Sequence, residues 1–434
     1  MLELQKEFGA DKVTEDNIVE SADGKKWTVT IDGATAELEA GSTIAQNPQE
    51  PEIPSLPKDT GTKPYLPSDS FSQVDGTDLN TGLVITDEVD EEGNSIGNEY
   101  VWIEVPNNLQ GETKFGPTYP TGTTSTDYTA IKTALISYTE TLLNGSDYKT
   151  SRMSCLDEWY DSNNKTAEES SNTGDTAGCG LTSSRYTELY NAMLTSIFEH
   201  GGFWIGKYEA GMLGDKGRSD VNVSTDDVIP LAKKDLIPIF YVTCSKAQQI
   251  ATRVPNKGSY NSSLMFGLQW DCVLKYLQNK GVSVSDLISN STGWGNYTDT
   301  SNATLRGGRY TQFANLNQGY NQTFNKTWYA YTENLGNIIN NKILNNVSMP
   351  QTVLLTTGAL PSNMAKQNIY DLAGNVLEFT LEHSDSIQAN GVACPCSARG
   401  GTFGTTGTNN PVSTRSSLLT DTGNYDYGFR VCLY

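Results

Sequence analysis

Asn368-Ile-Tyr-Asp-Leu-Ala-Gly-Asn-Val-Leu-Glu-Phe-Thr380, Ala398-Arg-Gly-Gly-Thr-Phe403 and Tyr427-Gly-Phe-Arg-Val431 are the three segments on which the fold turns. In the first, Gly374-Asn375 reads as a turn that needs left-handed backbone. In the second, Gly400-Gly401 lets a strand leave Arg399 with another backbone close by. The third opens a strand, Gly428 to Leu433, whose alternation buries Phe429, Val431 and Leu433. Arg430 then points the other way and can pair with a carboxylate, for which Glu378 is one candidate.

Upstream of these segments the chain alternates between periodic stretches and long polar ones. Gly82–Thr86 and Tyr100–Val105 are strand-like, joined by the acidic run Asp87–Gly93. The oxygen spacing of that run does not match an EF-hand loop, so it reads as a solvated hairpin tip. Tyr128–Leu143 predicts a helix with Ile131, Leu135, Tyr138 and Leu142 on one face. A second helix is expected over Arg185–His200, with Tyr186, Leu189, Tyr190, Met193 and Ile197 buried and Gly201-Gly202 ending it. His200 falls in its last turn and reads as a cap or core residue. Phe203–Gly211 is a strand broken by glycine, and a third helix is expected over Ser263–Lys280. Residues 144–182 and 283–347 are Asn-, Thr- and Ser- or Gly-rich, and loops this long are usually functional or disordered.

The N-terminal region has a different character. Trp27–Ile31, the turn Asp32-Gly33 and Ala34–Glu39 predict a β hairpin, after a possible helical stub around Leu2–Phe8. Residues 1–43 therefore form a small attachment unit. Residues 44–81, with six prolines between Pro48 and Pro67, read as an extended linker. The alternative is a strap lying on the main domain, which is expected over residues 82–434.

Composition narrows the function. The chain has 434 residues and a formal net charge of −21, so binding to a phosphate backbone is not expected. No apolar run is long enough to span a membrane, and the start shows no signal-peptide pattern. Two histidines leave little for a His-rich metal site or a Ser-His-Asp triad. The seven cysteines read mostly as small buried residues, with Cys155–Cys179 as the best disulfide candidate.

The three quoted segments, in this order and rough spacing, resemble the formylglycine-generating enzyme (sulfatase-modifying factor) family. Phe203–Gly211 resembles that family's early strand, and Leu268-Gln-Trp-Asp271 its helix with a Glu-Trp pair. The resemblance covers roughly residues 82–434. It implies an α+β fold, a variant of the C-type lectin fold with long polar loops, preceded here by the small β-hairpin unit. Leu377-Glu378-Phe379 stands where the family often has Trp-Glu-Trp.

The family's enzymes carry two cysteines shortly after the Arg-Gly-Gly motif, where they bind copper and oxidise a substrate cysteine. Thr402–Tyr427 contains no cysteine, and hydroxyl groups do not replace the thiolate that Cu(I) selects. Cys394 and Cys396 precede the motif. The expectation is thus a protein without catalytic or metal residues and without a cofactor. Calcium near Glu378 and Asn375, as in some relatives, is kept as a lesser possibility.

A second branch resembling this sequence comprises the variable proteins of diversity-generating retroelements, which include phage receptor-binding proteins and bacterial adhesins. They display the segment between Arg-Gly-Gly and Gly-Phe-Arg as a binding surface. Seventeen of the 26 residues from Thr402 to Tyr427 are Thr, Asn, Ser, Asp or Tyr. An AAC asparagine codon reaches Ser, Thr, Asp and Tyr by one adenine change each. A plain polar loop explains the same bias, since the whole chain is rich in these residues.

The expected ligand-binding residues are Thr402, Thr405, Thr406, Thr408, Asn409, Asn410, Ser413, Asp421, Asn424, Tyr425, Asp426 and Tyr427. Tyrosines supply rigid contact area and the short polar groups adaptable hydrogen bonds, as in antibody loops. Arg306–Tyr329, with Arg309, Tyr310, Asn315 and Tyr320, is a possible second wall. The reading is an adhesin or receptor-binding protein acting outside the cell, on a cell surface or on a virion. Its partner would be a cell-surface protein or glycan. The N-terminal region would join a larger assembly such as a phage tail, and homo-oligomers remain possible. An oxidase of the formylglycine-generating type with altered chemistry, or a structural tail or pilus decoration, are the alternatives.

Overall fold

The computed structural model describes residues 63–105, 125–140, 178–213, 228–255, 260–300 and 353–434. It also describes the short strand or bridging segments 18–20, 26–31, 34–39, 155–156, 309–312, 328–330, 338–339 and 342–343. The chain divides into two compact units, Met1–Ser55 and Leu56–Tyr434.

The small unit is a three-stranded antiparallel sheet: β1 (Ile18–Glu20), β2 (Lys26–Ile31) and β3 (Ala34–Glu39). Ile31 pairs with Ala34; the expected turn residues Asp32-Gly33 between them lie outside the described residues. The unit therefore has one strand more than a hairpin, because Ile18–Glu20 pairs with Trp27–Val29. The expected stub around Leu2–Phe8 lies outside the described residues.

The larger unit mixes helices with mostly antiparallel sheets. Its main strands are, in chain order, β4 (Ser72–Gln73), β5 (Val84–Thr86), β6 (Glu99–Glu104), β7 (Gly202–Gly206), β8 (Ser262–Leu264), β9 (Leu377–Ser384), β10 (Cys396–Arg399), β11 (Arg415–Leu418), β12 (Tyr427–Gly428) and β13 (Val431–Leu433). The helices are α1 (Ser125–Glu140), α2 (Ser183–His200), α3 (Cys244–Ala251), α4 (Gly267–Asn279) and α5 (Val284–Ile288).

The six-stranded sheet has the order β8-β13-β7-β6-β5-β4. Every strand in it pairs antiparallel with its neighbours. The C-terminal strand thus lies beside the strand after α2. The stretch expected as one strand, Gly428–Leu433, is divided between β12 and β13, and Arg430 and Cys432 are buried as completely as Phe429, Val431 and Leu433. Trp102 and Trp204 meet edge-on at 4.9 Å on neighbouring strands. Helix α2 buries Tyr186, Leu189, Tyr190, Met193 and Ile197, the expected stripe, and ends on Gly201 in left-handed backbone. A second sheet, β11-β10-β9-β12, is antiparallel except for the parallel β9–β12 pair.

Two expectations need correction. The second half of the 44–81 linker is part of the larger unit: Phe71 and Leu79 are buried, β4 pairs with β5, and Trp204 Nε1 donates to the Tyr65 carbonyl at 2.9 Å. The stretch runs through several turns, and its few aromatic and apolar side chains fasten it to the core. The third helix also starts later than its apolar period indicates. Ser262–Leu264 pairs with Val431–Leu433 as a strand, and α4 begins only at Gly267, where Gln269 Oε1 accepts from the Phe266 N–H at 2.9 Å.

Candidate functional site

The frame around residues 402–427 is built from buried charge. Arg399, at the end of β10, and Arg415, at the start of β11, face Asp271 of α4 and Glu382 of β9. Arg415 Nε donates to Glu382 Oε1 at 2.7 Å and its Nη2 to Asp271 Oδ2 at 2.6 Å. Arg399 Nη2 donates to Asp271 Oδ1 at 2.9 Å and its Nη1 to Glu382 Oε2 at 3.3 Å. Each carboxylate thus gives one oxygen to each guanidinium, and all four side chains are fully buried. Two positive and two negative groups balance, which is the condition for keeping them ionised without water. The Arg399 guanidinium lies over the Trp270 ring at 5.5 Å. Trp270 Nε1 in turn donates to the Val412 carbonyl at 3.1 Å.

A second buried cluster holds the other end of the segment. Arg430 grips Glu378 with two hydrogen bonds, Nη2 to Oε1 at 2.7 Å and Nε to Oε2 at 3.1 Å. The expected Arg430–Glu378 pair is therefore present. Glu209 accepts from Asn375 Nδ2 at 2.7 Å and from the Val376 N–H at 3.0 Å. Asn375 Oδ1 accepts from Asn296 Nδ2 and the Leu355 N–H. The oxygens that calcium would need from Glu378 and Asn375 are thus engaged by protein donors.

Three acids stand here against one arginine, and burial shifts them toward the neutral form. Desolvation lifts Glu378 to about 7 against the pull of Arg430, and lifts Asp371 to about 6. Glu209 is pushed well above the carboxylate range by burial and by the nearby Asp371 and Glu378 charges.

The glycines of the motifs do what their positions require. Gly374 has φ 73°, and an added Cβ would meet the Asn296 carbonyl oxygen at 2.3 Å. Gly400 and Gly401 have φ 95° and 75°, and a Cβ would meet backbone oxygens of Leu372 and Asn410.

On this frame the segment forms two patches. In the first, Thr405 accepts at its carbonyl from Thr298 N–H and Oγ1, and Gly407 N–H donates to Asp299 Oδ1 at 3.0 Å. Loop 289–300 therefore braces loop 402–410. Thr408 and Asn409 are exposed, and Thr405, Thr406 and Asn410 are half-buried. The second patch is aromatic. Tyr425 is half-buried, with its ring 5.9 Å from that of buried Phe403 and 6.4 Å from that of Tyr241. Tyr427 is half-buried against Phe379. Asn424 accepts from the Tyr241 N–H at its carbonyl, and Asp421 is exposed.

Two of the twelve expected residues are not displayed. Thr402 is 3% exposed and Ser413 7%. Thr402 Oγ1 accepts from the Gly404 N–H, and the Ser413 carbonyl accepts from Arg399, so both are built into the turns. Asp426 is half-buried as a residue, but its Oδ1 is inaccessible and accepts no hydrogen bond. Burial raises this carboxyl to about 7. It too belongs to the frame more than to the surface.

Sequence reasoning missed Tyr241 and the loop carrying Thr292, Thr298 and Asp299. Tyr241 sits at φ 56°, a rare position for a bulky residue, and no local signal marks it. Most of the Arg306–Tyr329 wall lies outside the described residues, although Arg309–Gln312 is a strand paired with Val353–Leu355. Among the described residues no set of three or more His, Cys, Asp or Glu is placed to hold a metal ion, and the six cysteines whose burial is described are all buried. Cys155, the partner in the expected disulfide, has no described side chain. No helix among the described residues is long and apolar enough to cross a membrane.

No protein-family model matches the chain, and no curated protein matches it significantly.

Proposed function

We propose that the larger unit is a non-catalytic binding head with a C-type lectin-like fold, close to the variable proteins of diversity-generating retroelements. It recognises a cell-surface protein or glycan through Thr405–Asn410 and Asp421–Tyr427, joined by Tyr241 and the 289–300 loop. It acts outside the cell or on a virion, and the N-terminal unit attaches it to a larger assembly. No cofactor takes part.

The observation that carries this reading is the division of labour within residues 402–427. Backbone hydrogen bonds and the buried Arg399 and Arg415 network hold the segment. The side chains of Thr408, Asn409 and Asp421 are left exposed, and the half-buried Tyr425, packed on Phe403 and Tyr241, offers an aromatic anchor. Such a segment tolerates side-chain change without loss of its frame. The absence of cysteine between Thr402 and Tyr427 supports binding over copper-dependent oxidation.

The test uses the full chain with Thr408, Asn409, Asp421 and Tyr425 replaced together by alanine. Labelled wild type should bind a subset of a panel of intact bacterial cells in flow cytometry. The quadruple variant should lose that binding while melting within about 3 °C of wild type, as surface changes usually do. Equal binding by both proteins, or oxygen-dependent oxidation of a cysteine peptide in the presence of copper, overturns the reading. A near-identical template repeat beside a reverse transcriptase, differing only at adenines, is the genomic check on the retroelement assignment.

A further inference from the structure

Helix α2 presents a second stripe, opposite in character to its buried one. Glu188, Asn191, Ala192, Thr195, Ser196 and Glu199 fall at helical spacing and form the floor of a cleft of about 580 Å³. From Glu188 to Glu199 there are eleven steps of about 1.5 Å, which make that floor roughly 16 Å long. The size lies in the range of small-molecule sites. Tyr65 lines the cleft, its ring tilted against His200 at 4.4 Å, and Tyr128, with the edges of the largely buried Tyr260 and Tyr434, contributes to the rest. None of these residues belongs to the 402–427 surface, so the cleft is independent of the function proposed above.

The chemistry of the lining selects the ligand. Among the described residues no lysine or arginine lines the cleft; Arg185 at its edge is turned to Glu188 and Asn261, and burial holds the His200 imidazole below its usual range, so anions are disfavoured. The acids are partly spent: Glu188 lies 3.0 Å from Arg185 Nη1, and Glu199 4.0 Å from His200 Nε2. What the floor offers at its centre is neutral. The half-buried Asn191 carboxamide makes no hydrogen bond to any described residue; its backbone carbonyl accepts from Thr195. It therefore presents a donor and an acceptor side by side. The phenol oxygens of Tyr65 and Tyr128 reach Ser196 and Thr195 only at 3.4 Å, so both retain bonding capacity. Ala192 beside Asn191 leaves room above the floor.

An amide that offers donor and acceptor together, between tyrosine rings and in an elongated trough, matches adjacent hydroxyls on a chain of sugar rings. We infer that the α2 cleft binds a neutral oligosaccharide, with Asn191 pairing to a vicinal diol and the tyrosine rings packing on the C–H faces.

The experiment is ligand-observed saturation-transfer NMR on the full-length protein. Cellotriose, chitotriose and maltotriose serve as probes at about 5 mM, where a Kd of about 1 mM still fills most sites. Spermidine is the cationic probe. At least one trisaccharide should receive saturation. Ala192→Phe, which fills the trough, should abolish the signal, and Asn191→Leu should weaken binding about tenfold, the loss of a paired hydrogen bond. Tyr425→Ala should leave it unchanged, which separates this cleft from the 402–427 surface. Circular dichroism melts check that each variant folds, and Asn191→Ala replaces any that does not. No transfer to any trisaccharide, transfer that survives both cleft variants, or transfer to spermidine in their place overturns the assignment.

Discussion

Replacing Arg415 by methionine isolates what holds the candidate surface in place. The substitution keeps much of the side-chain length and removes the hydrogen bonds to Glu382 Oε1 and Asp271 Oδ2. Both carboxylates stay buried, and Arg399 alone must then balance two negative charges. Breaking a buried ion network in this way costs about 3–5 kcal/mol, mostly from the charge left behind. At about 2–4 °C per kcal/mol for a domain of a few hundred residues, the melting midpoint should fall on the order of 10 °C. Arg415→Lys should fall between the two, because one ammonium cannot serve both carboxylates in the planar geometry that a guanidinium offers. Arg415→Met combined with Asp271→Leu leaves one arginine with one acid. The pair should cost less than the sum of its parts, by roughly 1–3 kcal/mol. Calorimetry on wild type, Arg415→Met, Arg415→Lys, Asp271→Leu and the double variant measures this. A loss under about 2 °C for Arg415→Met, or strict additivity in the double variant, would mean that the network is solvated and does not anchor the segment.

Asp426→Asn tests the raised carboxyl. An acid whose folded pKa is about 7, against about 4 unfolded, favours folding fully below pH 4 and loses that contribution as the pH rises through 7. The variant should therefore melt close to wild type at pH 5 and above it at pH 8, and an equal offset at both would refute the assignment. Gly374→Ala should cost several kcal/mol, because a Cβ at φ 73° would stand 2.3 Å from the Asn296 oxygen; a midpoint within about 2 °C of wild type would contradict that contact. Thr408→Ala and Asn409→Ala should each change stability by less than about 0.5 kcal/mol in denaturant titrations, since both side chains are exposed. A larger loss would place them in the frame.

Local signals in this chain are strong where the backbone is special. Gly201, Gly374, Gly400 and Gly401 all take the positive φ that their motif positions demand. The pairing of β2 with β3 and the stripe of α2 were legible because each is a short-range pattern. The start of α4 was not. Met265, Leu268 and Cys272 continue one helical period, while Ser262–Leu264 is claimed by a strand about 170 residues later in the chain. Pairing at that range leaves no trace in the local period, and it overrides propensity. The charge network was hidden for the same reason: Asp271, Glu382, Arg399 and Arg415 come from α4, β9, β10 and β11.

The candidate surface shows how composition reads a loop only halfway. Thr, Asn, Ser, Asp and Tyr fill residues 402–427, yet the same side chains serve two ends. A short hydroxyl can face a ligand, or it can accept a hydrogen bond from the turn it sits in, as Thr402 does from Gly404. Sequence alone does not separate these uses, because both reward a small polar side chain. Burial separates them, and burial here follows from the arginines. Arg399 draws the Ser413 carbonyl inward, and Arg415 fixes the start of β11. The three exposed residues of the segment, Thr408, Asn409 and Asp421, each lie at least six residues along the chain from Arg399 and Arg415, while residues 414 and 416–420, next to Arg415, stay half-buried. Moving either arginine should therefore change which threonines face solvent.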